Sequence, residues 1–409
     1  MAVRFDPFAP GYSQNPYPQY HALRAADPVH RSDLFDGWVL TRHRDVFGAL
    51  RAPGFSVDRS ATDPVQNVPL PRIREEFRDV SEGLRRVLMF VDPPDHTRIR
   101  RLVRQVFGHR EMWAHRARIQ ALADTFCEGL LERGPDVDWI RDLAYPLPVM
   151  VIAEVLGVPS SEGEAIKGWS DDLGALLDPY VPPEKFEHAL KSAQEMYDFL
   201  MEVFDARTRK PRDDLISHLL HHEDPGTGQR LTRQEIFSVA ALILGAGHLT
   251  TTNLLGNAVW ALGEHPEERR RLTREPRLIA RAVEEFLRYD APLQATARLA
   301  TAPHRIDDKT IEPGDFVVVL MGAANRDPAR FPDPDRLDFR RRGIVHASFG
   351  QGIHLCLGRT LARLEIEVVI GTLLRRFPGF EIACDVADRK PNVVSRGLRS
   401  LPLQLGEPA

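Results

Sequence analysis

The chain has 409 residues, of which 54 are basic and 58 acidic, for a net charge of -4. With 43% hydrophobic and 27% charged residues it can bury a large core, which excludes a disordered, collagen-like or disulfide-scaffold protein. The near balance of charge argues against general nucleic-acid binding, which calls for a strongly basic domain.

The N-terminal stretch has no apolar core of a leader and no cleavage pattern, so secretion is not expected. Gly37–Thr41 reads as a short strand. Residues 55–90 are charged, proline-containing and aperiodic, which predicts a long functional loop. From Asp95 the helical period dominates, over 97–107, 114–133, 145–156, 162–175, 184–207 and 212–221. Thr232-Arg-Gln-Glu235 forms a capping box. It opens a helix that runs to about Gly263, about 45 Å at 1.5 Å per residue. Within it Val239–Gly247 is the longest apolar run, far short of a membrane span, so no membrane association is expected. Short strands are expected around Arg298–Ile306 and Asp315–Leu320, followed by a Pro/Asp-rich meander at 325–343. The last clear helix starts near Cys356, where Leu357, Leu361, Leu364 and Val368 form one buried stripe. No repeat or linker interrupts the pattern. The expectation is a mainly α fold with small β-sheets, in a single domain over 1–409.

Cys127, Cys356 and Cys384 are too few and too scattered for a disulfide framework or a zinc site, and they suit a reducing cytoplasm. Cys356 stands apart from the other two. It lies in Phe349-Gly-Gln-Gly-Ile-His-Leu-Cys356-Leu-Gly358, directly before a helix. A helix N-terminus offers unpaired N–H groups and partial positive charge, which favour a thiolate. Gly350, Gly352 and Gly358 allow tight turns and the close approach of a flat partner. Phe349 can cover the sulfur. These are the needs of a thiolate ligand to a large planar cofactor. Cys127 and Cys384 have no such surroundings and read as buried small hydrophobes.

The loop resembles the FGxGxHxCxG signature of the cytochrome P450 family, matched at Phe349, Gly350, Gly352, His354, Cys356 and Gly358. The resemblance implies the cytochrome P450 fold, with haem b (iron protoporphyrin IX) held between a long distal helix and a proximal Cys-loop helix. Cys356 would be the proximal iron ligand, the only metal ligand from the chain. Glu285-Phe-Leu-Arg288 is similar to the family's ExxR pair, with Arg336 as the expected third member of a structural triad. His96 and Arg100 are one helical turn apart, and basic side chains suit carboxylates. By resemblance they bind the haem propionates together with Arg298 and His354.

The long helix carries Leu244-Gly-Ala-Gly-His-Leu-Thr-Thr-Thr252. This is similar to the family's AGx(D/E)T motif at Ala246, Gly247 and Thr250, which are taken with position 249 as the catalytic set. The small residues leave a flat patch for oxygen, and in mid-helix they also suit close packing. The family's acid is Leu249 here. A leucine cannot pass a proton, so Thr250 remains to position oxygen or water, with His248, Thr251 and Thr252 as nearby polar groups. The departure leaves three explanations: a substrate that completes the relay, peroxide-driven chemistry, or slow delivery by water.

Arg98, Arg101, Arg104, His109, Arg110, Arg359 and Arg363 form a basic set expected on the proximal side, where an acidic ferredoxin or flavodoxin, served by its reductase, would dock. By analogy with the family, the substrate pocket would take Phe90, Val91, Leu293, Gln294, Ala295 and Leu398, with parts of 55–90 and 168–185. The implied function is a monooxygenase that hydroxylates or epoxidises a small organic molecule, free or carrier-protein-bound, in secondary metabolism, with electrons from NAD(P)H. The alternatives are an atypical member (peroxygenase, oxidative coupling, dehydrogenation or decarboxylation) and a non-catalytic haem-thiolate sensor.

Overall fold

The computed structural model describes residues 3–58, 77–134, 137–175 and 183–406. The chain begins with α1 (Tyr17–Ala26), β1 (Val29–Ser32), β2 (Gly37–Leu40), α2 (His43–Arg51) and β3 (Phe55–Ser56). Next come α3 (Arg78–Arg85), α4 (Asp95–Val106), α5 (His109–Ala114), α6 (Arg116–Glu132), β4 (Val137–Asp138) and α7 (Pro146–Leu156). Then follow α8 (Gly163–Ala175), α9 (Pro183–Arg209), α10 (Leu215–His221) and the long α11 (Arg233–Glu264). After α12 (Pro266–Arg274) and α13 (Ile279–Tyr289) come β5 (Ala295–Ala300), β6 (His304–Ile306), β7 (Lys309–Ile311) and β8 (Phe316–Leu320). The chain ends through α14 (Met321–Ala324), α15 (Arg359–Arg376), β9 (Glu381–Ile382), β10 (Asp388–Arg389), β11 (Leu398–Ser400) and β12 (Pro402–Gln404).

Two compact units emerge. The first joins residues 1–56, 115–147 and 250–409; the second joins 57–114 and 148–249. In the first, a five-stranded sheet of order β1-β2-β8-β5-β3 is antiparallel except for the parallel β2–β8 pair. Val39, Ala295, Val318 and Leu320 pack with Tyr17 and Tyr20 of α1 in one core cluster. Leu40, Val317 and Val319, whose side chains alternate with those residues, join α2 in a second cluster. Helix α15 packs on α6 and α13 and buries Leu361, Leu364 and Val368, the stripe expected from its sequence. In the second unit α8 lies along α9, and α9 packs against α3 and α10.

The capping box of α11 forms as expected. The Glu235 amide donates to Thr232 Oγ1 at 3.2 Å, and the Thr232 amide donates to Glu235 Oε2 at 2.9 Å. Among the described residues α11 is the one helix apolar and long enough to cross a membrane, and most of its apolar window is buried as core. Two expectations need correction. The stretch 55–90 is not one loop: it contains β3 and α3, with 59–76 outside the described residues. The helix expected over 114–133 is α6, but a separate short helix, α5, stands between it and α4 where no helix was expected. Helices α1, α2, α12 and α14 are likewise not announced by the sequence pattern.

Candidate functional site

Two glycines shape the cysteine loop. Gly350 and Gly352 have φ of +68° and +70°, a region that L side chains rarely adopt. At Gly352 a Cβ would also lie 2.6 Å from the Leu50 carbonyl oxygen. This folded loop lets the Cys356 amide donate to the Phe349 carbonyl at 2.8 Å, three residues before α15 starts. Arg359 in the first turn of α15 donates to the Cys356 carbonyl at 3.0 Å. Cys356 is half-buried and forms no disulfide. Cys127, by contrast, is buried, and that burial pushes its thiol up to about 12. Phe349 lies under Arg363, whose guanidinium carbon is 4.5 Å from the ring centroid. Arg363 is in turn held by Glu284. Burial pushes the Glu284 carboxyl up, yet His346 and Arg363 outweigh it and bring it down to about 2.

Glu285 and Arg288 stand one turn apart on α13 and are fully buried. Their bidentate pair has both contacts at 2.7 Å. Arg288 also donates to the carbonyls of Asn325, Pro334 and Arg336, so it pins the meander to α13. The third side chain differs from the expected one. Arg341 Nε reaches Glu285 Oε1 at 3.3 Å, while Arg336 is exposed and contributes only its carbonyl oxygen. No sequence signal separates Arg341 from its neighbours Arg340 and Arg342.

On β5, Arg298 is buried on the same face as Thr296 and donates to the Ala297 carbonyl at 2.7 Å. His354 closes a 3-10 turn, Gly352–His354, inside the cysteine loop. In the second unit His96 is buried near the start of α4, and Arg100 follows one turn later. Burial first, and then the charge of Arg100, push the His96 imidazole down to about 4.

Helix α11 opens in its middle. Leu242, Gly245, Leu249 and Thr250 are half-buried and Ala246 is exposed, although residues 251–259 and 235–241 are buried. A Cβ on Gly245 would meet nothing within 4 Å. The open strip therefore runs along Leu242, Gly245, Ala246, Leu249 and Thr250. Gly247 does not belong to it: a Cβ there would lie 2.7 Å from Ile152 of α7, so this glycine serves close packing. His248, Thr251 and Thr252 are buried, and His248 Nδ1 bonds the Leu244 carbonyl at 2.9 Å.

These residues fit a large, flat, anionic cofactor. A half-exposed thiol stands at the mouth of a folded loop, and a Cβ on Gly358 beside it would meet nothing within 4 Å. Within the first unit, the Cys356 thiol, the His354 imidazole and the Arg298 guanidinium are groups that suit an iron porphyrin with carboxylates, while His96 and Arg100 belong to the second unit.

Of the expected pocket residues, three belong to the packed interior. Ala295 joins the sheet core. Gln294 is buried, donates to the Ala291 carbonyl at 2.8 Å and packs against Gly322. Leu398 is fully buried against Gly256. Leu293 packs against the second core cluster and bridges Ser395. Phe90, which ends a 3-10 turn (Leu88–Phe90), and Val91, which follows it, are half-buried. Segments 59–76 and 176–182, expected to border the pocket, lie outside the described residues.

The basic set is also less free than its sequence suggests. Arg98 pairs with Glu235, Arg101 with Asp224 and Arg363 with Glu284. Arg104 and Arg110 remain exposed.

The fold and the cysteine loop define a haem-thiolate oxidoreductase, and the comparisons agree. The family model "Cytochrome P450" matches residues 175–394. The chain is 38% identical over 406 residues to the vitamin D(3) 25-hydroxylase of Pseudonocardia autotrophica, covering 98% of this chain and 96% of that protein. It is 36% identical to the cytochrome P450 monooxygenase PikC of Streptomyces venezuelae, covering 96% and 92% respectively. The crystal structure of P450BioI in complex with hexadec-9Z-enoic acid ligated acyl carrier protein superposes with a TM-score of 0.88 at 34% identity, covering 96% of this chain and 98% of that one. The chain belongs to the cytochrome P450 family. It has the family's mainly helical fold and haem-thiolate cofactor, and it is a bacterial-type monooxygenase acting on small-molecule substrates with redox partners.

Proposed function

We propose that the whole chain works as one cytochrome P450 domain that holds haem b on Cys356 and hydroxylates or epoxidises a small, largely apolar molecule of secondary metabolism. The geometry of the Cys356 loop carries this reading. Bound there, the haem iron supplies oxygen activation, which a thiolate ligand promotes. The chain's own residues do the rest. Gly350 and Gly352 set the sulfur before the N-terminus of α15, where partial positive charge stabilises the thiolate. Phe349 shields it from water. By the family resemblance, Arg298, Arg100, His96 and His354 would hold the propionates by charge-assisted bonds. The α11 strip leaves room for oxygen at Ala246, and Thr250 Oγ positions oxygen or water beside it.

Leu249 removes the family's acid from this strip. Substrate assistance is the preferred account: a polar group of the bound substrate completes the proton path that Thr250 begins. A peroxide-driven or otherwise atypical oxidation is the second reading, favoured by the same leucine. Electrons come from NAD(P)H through a separate reductase and a ferredoxin or flavodoxin, in the cytoplasm. A carrier-bound substrate is supported by the acyl carrier protein complex of the similar P450BioI.

The test is a titration of the ferric protein with free small molecules and carrier-bound acyl groups, read as the Soret shift on loss of the iron-bound water. A saturable response to one class names the substrate. Silence from both classes counts against the hydroxylation or epoxidation reading and favours the atypical or sensor readings. Cys356→Ala should abolish the thiolate-ligated spectrum, whereas Cys127→Ala and Cys384→Ala should leave it intact.

A further inference from the structure

Helices α8 and α11 meet along a seam that no motif announces. Ile166, Ser170 and Gly174 recur at i, i+4 and i+8, so they share one face of α8. Ile166 is fully buried. Ser170 Oγ donates to the Leu244 carbonyl of α11 at 3.3 Å, in a buried position. One turn further along, a Cβ on Gly174 would stand 3.0 Å from Leu249 Cδ1. The hydroxyl contact and the notch at Gly174 thus fall on α11 at residues 244 and 249, at the edge of the open strip.

We infer that Leu249 is a positioning residue. Its isobutyl group fills the notch left by Gly174 and, with the Ser170–Leu244 bond, fixes where α8 lies beside the strip. The pair Leu249/Gly174 then sets the width and the apolar character of the strip next to Ala246 and Thr250. It is a specificity determinant for the apolar part of the substrate. Residue 249 thus acts sterically, against the small partner at 174. The packing claim stands without the haem; only the specificity claim rests on the haem reading.

The test is a double-mutant cycle on the holoenzyme with Leu249→Ala, Gly174→Leu and the combined variant. The first readout is hydrogen exchange of the α8 amides. Each single variant should speed exchange about fivefold or more, by opening a cavity or by forcing α8 away. The combined variant, which moves the bulk across the seam, should return to within about twofold of the parent. Leu249→Val and Gly174→Ala give the same signs at smaller size should either larger change impair folding. The second readout is the ratio of dissociation constants for imidazole and 1-phenylimidazole. Leu249→Ala should shift it toward the bulkier probe by about fivefold, and Gly174→Leu should shift it the other way. Unchanged α8 exchange in Leu249→Ala, or additive effects in the combined variant, overturns the clasp. An unchanged ratio overturns the specificity role. Absence of azole binding in every form, the parent included, overturns the haem reading, and the exchange data then decide the clasp alone.

Discussion

Arg341 reaches Glu285 across 56 positions of chain, with its Nε 3.3 Å from a carboxylate oxygen that has no solvent exposure. That oxygen also accepts from Arg288 and from the Asp338 amide at 3.0 Å. One buried acid thus gathers α13 and the meander, so removing its partners costs more than removing an exposed charge.

Arg341→Ala should lower stability by about 1–3 kcal/mol, because Glu285 loses a buried donor. Arg288→Ala should cost about 3–5 kcal/mol, since it removes the bidentate partner of a fully buried carboxylate. Arg336→Ala should stay within about 0.5 kcal/mol, because only its carbonyl takes part. Urea midpoints of the three variants check the order. An Arg336→Ala loss as large as that of Arg341→Ala would restore Arg336 to the triad.

Glu365 is buried on α15, and among the described residues neither of its carboxylate oxygens meets a donor. Burial pushes its carboxyl well above the usual glutamate range. The folded state therefore keeps a proton that the unfolded state loses, and stability falls as pH rises above the ordinary glutamate range. The contribution is fully present at lower pH and is lost as pH climbs toward the raised value. Glu365→Gln keeps the shape and removes the proton linkage. Thermal midpoints from about pH 5 to about pH 8 should fall less steeply for the variant than for the parent. Parallel profiles would show that the carboxyl is not held neutral.

Leu249→Glu should not raise the coupled turnover of the native substrate. The new carboxylate would replace the isobutyl group against Gly174 and place a charge on an apolar strip. The check is product formed per NAD(P)H consumed. A large, well-coupled gain in the variant would sink the substrate-assisted account of the proton path.

Arg104→Glu and Arg110→Glu should raise the apparent KM for an acidic ferredoxin about three- to tenfold at low salt. The difference should shrink as ionic strength rises, because exposed charges are screened. Arg98→Glu is a poor probe, since it also breaks the Arg98–Glu235 pair. Equal KM values at low salt would move the docking surface elsewhere.

The cysteine loop, the capping box, the buried stripe of α15 and the long helices from α6 to α11 could be read from the sequence. Each is local: a turn residue, a cap or a period acts within a few positions of itself. Glycines at 350 and 352 announce left-handed turns because few other residues accept them. The missing acid at Leu249 was equally visible. Other features depended on partners far along the chain. Arg341 rather than Arg336 meets Glu285, Gln294 and Ala295 turn into packed interior, and Gly247 serves Ile152. Gly174, silent in the sequence, matters because Leu249 lies opposite it. Sequence alone determined which chemistry the chain carries. The tertiary structure decided which of several equivalent arginines, glycines and apolar residues would meet that chemistry, because side-chain identity does not encode the direction of a contact across distant elements.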